Sequence, residues 1–232
     1  MIYVMSDIHG EFEKYISMLQ KIEFKDEDTL YILGDVVDRG ERPVDILLDM
    51  MVRPNVYPLL GNHELMAIDM LRTLNVEITD KNYDTHIDEA VMQHLIDWQM
   101  DGGDTTMKQF RKLSLEEREN VLDYLEEFLP YELVKVGKWK FLLVHAGLGN
   151  FSAEKDIYDY TLEELTCMRP DLSVKYFDDD NFFVITGHTP TIALNGKAEI
   201  YKKQNNICID CGATFSGKLA CLCLDTMKEF YV

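Results

Sequence analysis

The first third of the chain alternates short apolar runs with amphipathic stretches. Ile2–Met5, Leu30–Leu33 and Val56–Leu60 are compact apolar runs with polar or breaker residues on either side, the signature of buried strands. Between the first two, Phe12, Tyr15, Ile16 and Leu19 fall on one face of a helix predicted over Glu11–Lys21. Between the next two, Pro43–Met51 reads as a helix with proline in its first turn, and Pro54-Asn55 breaks the chain before the third strand. This strand-helix order predicts a parallel or mixed sheet covered by helices.

The period then lengthens. From Glu64 to Leu129 helical spacing dominates, with helices predicted over Glu64–Leu74 and Asp88–Met100. Asp101-Gly102-Gly103-Asp104 predicts a loop, with a short helix running from it to Lys112. Ser114 and Glu117 form a capping box ahead of a helix over Leu115–Phe128. Strand patterns return at Tyr131–Val136 and Lys140–Val144, a hairpin about Gly137-Lys138, and at Phe182–Thr186, Glu199–Tyr201, Asn206–Ile209 and Leu219–Leu224. The expectation is a single α/β domain (α+β in some schemes) spanning residues 1–232, with a helical insert at about 64–130 lying beside or over a functional site.

Polar residues with metal-ligand chemistry follow the apolar runs. Asp7-Ile8-His9-Gly10 comes after the first and Gly34-Asp35-Val36-Val37-Asp38-Arg39-Gly40 after the second. Gly61-Asn62-His63-Glu64 follows the third, and His145-Ala146-Gly147 and Gly187-His188-Thr189-Pro190 follow two later runs. Strands that end together bring such residues to one place, and Asp, His and Asn are ligand types for divalent cations. Asp35 can bridge two cations through its two oxygens, and Asp38 can orient a neighbouring polar group. Arg39 presents a fork of donors to phosphate oxygens, and His63 is suited to proton transfer. His86 and His94 lie among the predicted helices without a ligand pattern.

Charge narrows the partners. Lys+Arg 23 against Asp+Glu 42 gives a net −19, which disfavours sequence-independent binding to nucleic acid or anionic membranes. Two divalent cations offset only about four of those charges, so attraction for a phosphate has to be local. No signal peptide or transmembrane stretch is recognisable, and a soluble, cytoplasmic protein is expected. Five cysteines, an odd count, do not suggest a disulfide framework. Cys208, Cys211, Cys221 and Cys223 are poorly spaced for zinc, and the last two share one face of a strand, as reduced core thiols do.

Taken in order, DxH, GDxxDRG, GNHE and two later histidines resemble the phosphoprotein phosphatase family of the calcineurin-like metallophosphoesterases. Trp98 to Thr106, Ile209-Asp210-Cys211-Gly212-Ala213 and the compact length are similar to its small bacterial and phage-type members. The resemblance covers most of the chain. It implies a four-layer sandwich of mixed sheets flanked by helices, and two divalent metal ions, with Mn2+ expected and Fe or Zn2+ also suited to the ligands. Asp7, His9 and Asp35 would hold the first metal, and Asp35, Asn62, His145 and His188 the second. His63 would be the general acid oriented by Asp38, and Arg39 would clamp the phosphate beside Asn62. Arg169 matches a second clamp, although a surface residue beside a proline turn fits the same position. Pro190 stands where many metallophosphodiesterases carry another histidine, which points to the phosphoprotein phosphatase branch. Asp38 points the same way, since the symmetrical dinucleoside tetraphosphatases often lack it. The implied activity is a serine/threonine-type protein phosphatase, with a dinucleoside polyphosphate or nucleotide hydrolase as the alternative. A non-catalytic scaffold fits poorly, because every ligand and His63 are present.

Overall fold

A computed structural model describes residues 1–76, 88–169, 171–215 and 217–232; His86 lies outside them. Strands β1 (Ile2–Met5), β2 (Thr29–Ile32) and β3 (Val56–Pro58) pair in parallel in that order. Two strands from the far end of the chain extend this sheet. Strand β9 (Ala220–Cys223) pairs antiparallel with β1, and β10 (Glu229–Tyr231) with β9, giving the order β10-β9-β1-β2-β3. The second sheet contains β4 (Tyr131–Val136), β5 (Trp139–Val144), β6 (Phe182–Thr186), β7 (Tyr201–Lys203) and β8 (Asn206–Cys208), in the order β4-β5-β6-β8-β7. Within it β5, β6 and β8 are parallel, while the β4–β5 hairpin and the β7–β8 pair are antiparallel.

Side-chain alternation at period two explains the layers. Tyr3 and Met5 face one core with Leu30 and Ile32, while Val4 faces a second core with Phe141, Leu143 and Ile185. The second core lies between the sheets. The first lies between the β1 sheet and helices α1 (Phe12–Lys21), α2 (Pro43–Met51), α3 (Asn62–Asn75) and α6 (Leu115–Glu126). On the outer face of the other sheet, Leu142, Val144 and Val184 pack with Leu148, Tyr160, Leu165 and Tyr176, under the short helix α7 (Leu162–Thr166). This is a mixed α/β architecture of two five-stranded sheets with helices on the outside.

The helical middle joins the main core. Leu71, Val121, Leu122 and Leu125 are buried in the same cluster as Met5 and Ile32. The loop expected at Asp101-Gly102-Gly103-Asp104 is instead a wide π turn, Gln99–Gly103, which carries α4 (Glu89–Trp98) into α5 (Asp104–Phe110). Gly102, at φ 105°, supplies the one non-helical residue inside that turn. The strand expected at Glu199–Tyr201 is shifted to Tyr201–Lys203. The Ile200 amide donates to Tyr231 Oη at 3.1 Å, and pairing with β8 starts only at Tyr201. The sequence pattern did not reveal α7, β10 or the short helix α8 (Thr191–Asn195).

All five cysteines are free thiols; Cys221 and Cys223 are buried in the helix-facing core, and Cys211 between the sheets. Among the described residues no helix is long and apolar enough to cross a membrane.

Candidate active site

Strands β1, β2 and β3 of one sheet and β5 and β6 of the other end where the polar motifs begin. The chain makes abrupt turns there. Of ten non-glycine residues with positive φ among the described residues, six are Asp7, His9, Asp35, Asp38, Arg39 and His188. Left-handed backbone at such residues costs about 1–3 kcal/mol each and persists only where surrounding structure holds it. Backbone bonds do so here. The Asp7 amide donates to Gly34 O at 3.1 Å, the His9 amide to Asp35 O at 2.9 Å and the Gly187 amide to His145 O at 2.8 Å.

Each of the three ligand histidines is fixed through one ring nitrogen, which turns the other toward the cleft. His9 Nδ1 donates to Val37 O at 2.9 Å and His145 Nδ1 to Leu33 O at 2.6 Å. His188 does the reverse, with Nε2 donating to Cys167 O at 3.1 Å. Two of these nitrogens converge. His145 Nε2 and His188 Nδ1 stand 3.1 and 3.0 Å from Asn62 Oδ1, three lone-pair acceptors facing one another. Asp35 reaches both halves of the site, with Oδ2 3.4 Å from His9 Nε2 and Oδ1 3.3 Å from His145 Nε2. Two groups of ligand atoms, His9-Asp35-His63 and Asp35-His145-His188, each lie within 4.8 Å of one another. Asp7 is buried beside them and accepts from the His188 amide at 3.1 and 3.0 Å.

Burial shifts each of these groups away from its charged form. Burial first, then the neighbouring Asp210, raises the Asp7 carboxyl well above the carboxylate range. Burial, Asp7 and Glu64 do the same to Asp35. Burial and a nearby imidazole lower His9 and His145, and burial with Arg169 brings His188 down to about 4. Neutral imidazoles with a ring nitrogen facing the cleft, clustered carboxylates and an amide oxygen form a donor set matched to divalent cations. The residues therefore fit the two metals that the ligand motifs imply.

His63 and Arg39 complete the site. His63 Nδ1 is 2.7 Å from Asp38 Oδ2, which turns Nε2 toward the cleft. Arg39 Nη2 lies 2.9 Å from His63 Nε2, and Nη1 lies 2.8 Å from His9 Nε2. The cleft is about 330 Å³ and is lined by His9, Asp35, Arg39, Asn62, His63, Asp101, Arg169, His188, Asp210 and Phe215, among others. Arg169 thus opens onto the same cleft as Arg39.

A profile of the calcineurin-like phosphoesterases matches residues 1–215 of the chain. The chain belongs to this family. Among curated relatives, the symmetrical bis(5'-nucleosyl)-tetraphosphatases of Salmonella paratyphi B and Salmonella typhimurium are 42% identical over 65 residues. That match covers 27% of this chain and spans 23% of each relative's length. Among solved structures, a provisionally assigned diadenosine tetraphosphatase aligns with a TM-score of 0.67 at 17% identity, covering 100% of this chain and 92% of that one. A Saccharomyces cerevisiae serine/threonine phosphatase aligns at 0.55 and 14% identity, over 90% of this chain and 66% of that one. At these identities the structural likeness speaks for the calcineurin-like fold.

Several residues without an assigned role also build this phosphoesterase site. Glu64 is buried and accepts from the amides of Asp35, Val36, Val37 and Gly61 at 2.7, 2.8, 3.2 and 3.0 Å, which fixes the turn that presents Asp35. Trp98 Nε1 donates to Asp38 Oδ2 at 2.9 Å and Thr106 Oγ1 to Asp38 Oδ1 at 2.6 Å. Asp101 Oδ1 accepts from Arg39 at 2.9 Å. The stretch Trp98 to Thr106 was distinctive in the sequence, but nothing there tied it to Asp38.

Proposed function

We propose that the chain is a metal-dependent hydrolase of nucleoside polyphosphates, with a dinucleoside tetraphosphate as the representative substrate. Asp7, His9 and Asp35 would hold one divalent cation, and Asp35, Asn62, His145 and His188 the other. When bound, the two cations supply Lewis-acid stabilisation of phosphoryl charge and make water a stronger nucleophile at neutral pH. Arg39 clamps phosphoryl oxygens, and Arg169 adds a second cation at the rim. His63, held by Asp38, donates a proton to the departing oxygen. Water adds across one phosphoanhydride, so a symmetrical cut of a dinucleoside tetraphosphate leaves two nucleoside diphosphates. No covalent phosphoenzyme is required.

The observation that carries the substrate class is Phe215. Its ring is 69% exposed, lines the cleft and lies 5.5 Å from the Arg39 guanidinium. An exposed aromatic face beside a phosphate clamp suits a base, since base–aromatic stacking is worth about 1–3 kcal/mol. The names of the sequence relatives and of the best-fitting solved structure cited above support the same class.

Phosphoprotein hydrolysis is the second reading, and Asp38 favours it, because the symmetrical tetraphosphatases often lack an aspartate there. The two are separated by assaying dinucleoside tetraphosphate beside a phosphoserine and phosphothreonine peptide panel with Mn2+ supplied. A higher kcat/KM for the dinucleotide, reduced by Phe215→Ala, is the expected result. Preference for the peptides would overturn the nucleotide assignment.

A further inference from the structure

Asp101 stands on donors that a phosphoryl group would use. Its Oδ1 accepts from Arg39 Nη2 at 2.9 Å, and its Oδ2 lies 3.5 Å from His63 Nε2. One carboxylate thus spans the phosphate clamp and the proton donor. Its own side chain is 48% exposed at the cleft.

The π turn delivers it there by close packing. Gly102 O accepts from the Arg39 amide at 3.0 Å. A Cβ on Gly102 would lie 2.7 Å from Arg39 Cγ, and one on Gly103 would lie 2.3 Å from the Trp98 ring. Only glycines let the turn sit directly on the Asp38-Arg39 corner. That is an unusual amount of local structure for one surface carboxylate, and π turns recur at functional sites.

Two roles fit a carboxylate in this place: holding Arg39 ready, or occupying the phosphate's position. The first is already served by other groups. The Arg39 backbone is tied to Gly102, and its guanidinium lies 5.5 Å from the Phe215 ring, two contacts that leave the metal ligands and the acid untouched. His63 is likewise oriented through Nδ1 by Asp38. What Asp101 adds is negative charge on donors that a phosphate must take over.

We propose that Asp101 is an intramolecular competitor for the phosphate subsite and a determinant of how tightly phosphate, as substrate or product, is held. The proposal rests on the phosphoester-hydrolase reading of the same cleft. On approach of a phosphoryl group, the carboxylate gives up Arg39 and His63. It takes them back as inorganic phosphate or a nucleotide departs, which favours release over product trapping.

The test is binding of inorganic phosphate to the Mn2+-loaded full chain, measured by calorimetry and as competitive inhibition of p-nitrophenyl phosphate hydrolysis. Asp101→Asn is expected to tighten phosphate binding about five-fold, the upper range for a half-exposed ion pair, and to lower KM in parallel without raising kcat. Asp101→Ala should move both in the same direction. Asp104→Asn, which removes a carboxylate paired with Lys108 on the next helix, should leave phosphate binding where it was. In an Arg39→Ala background, Asp101→Asn should have no further effect. Unchanged or weaker phosphate binding in Asp101→Asn overturns the proposal, as does an equal shift in Asp104→Asn. Should the wild type turn over no phosphoester, the hydrolase reading fails, and the calorimetric comparison still decides the role of Asp101.

Discussion

His63 presents Nε2 to the cleft because Asp38 holds its other ring nitrogen, and Asp38 is itself held by Trp98 and Thr106. Both Asp38 oxygens are occupied, so the ring has little freedom to turn. His63→Asn should retain bound metal, measured by atomic emission, and slow hydrolysis of an alkyl phosphoester by a factor on the order of 10²–10⁴. p-Nitrophenyl phosphate, whose leaving group needs little protonation, should suffer less. An unaltered kcat on the alkyl ester would remove His63 from the role of acid. The strand-end residues could be read from the sequence because ligand chemistry follows each apolar run directly. Asp101, Trp98 and Thr106 could not be given roles in that way. Their contacts to Asp38 and Arg39 cross about sixty residues of chain, and no periodicity records such a contact.

At the scale of elements, apolar contrast in the strands and length in the helices decided what was legible. The β1 and β2 runs stood out as unbroken apolar stretches and α1 and α2 ran long enough to show a helical period, whereas α7 and α8 have five residues each, and β10 is three residues without a buried one. Helix α7 still matters to the site, because the carbonyl of Cys167, just past its end, fixes the His188 ring. Its anchor is Glu164, which accepts from Lys155 Nζ at 2.8 and 2.7 Å and from the Thr161 amide at 2.9 Å. Lys155 first, and then that amide, hold the Glu164 carboxyl down at about 2, against 4.5 for an ordinary glutamate. A depressed carboxyl stabilises the fold fully above its unfolded value and loses that contribution as the pH falls through its folded one. Urea denaturation should therefore show wild type more stable than Glu164→Gln above pH 4.5, with the gap closing between 4.5 and about 2. A gap that stays constant over that interval would mean the carboxylate does not anchor α7.

Considered as a whole, the molecule divides its ligands between two sheets. Asp7, His9, Asp35 and Asn62 come from the β1 sheet, and His145 and His188 from the ends of β5 and β6. A cation held by Asp35, Asn62, His145 and His188 would fasten one layer to the other and relieve part of the −19 charge. Mn2+ should then raise Tm, and chelation should reverse the rise. At a hundred times its Kd, one site adds about 2.7 kcal/mol. For a domain of this size that is a rise of roughly 5–10 °C by scanning calorimetry. No shift on addition or removal of the ion would argue against a cation centre. Strand order has a separate bearing on biosynthesis. Of the described strands β1 comes earliest in the sequence and lies between β2 and β9, so one of its edges stays open until residues 220–223 leave the ribosome. An open edge invites mispairing, and a nascent chain must protect this one while everything between β1 and β9 is being made. Ribosome-associated chaperones would be needed most during that interval.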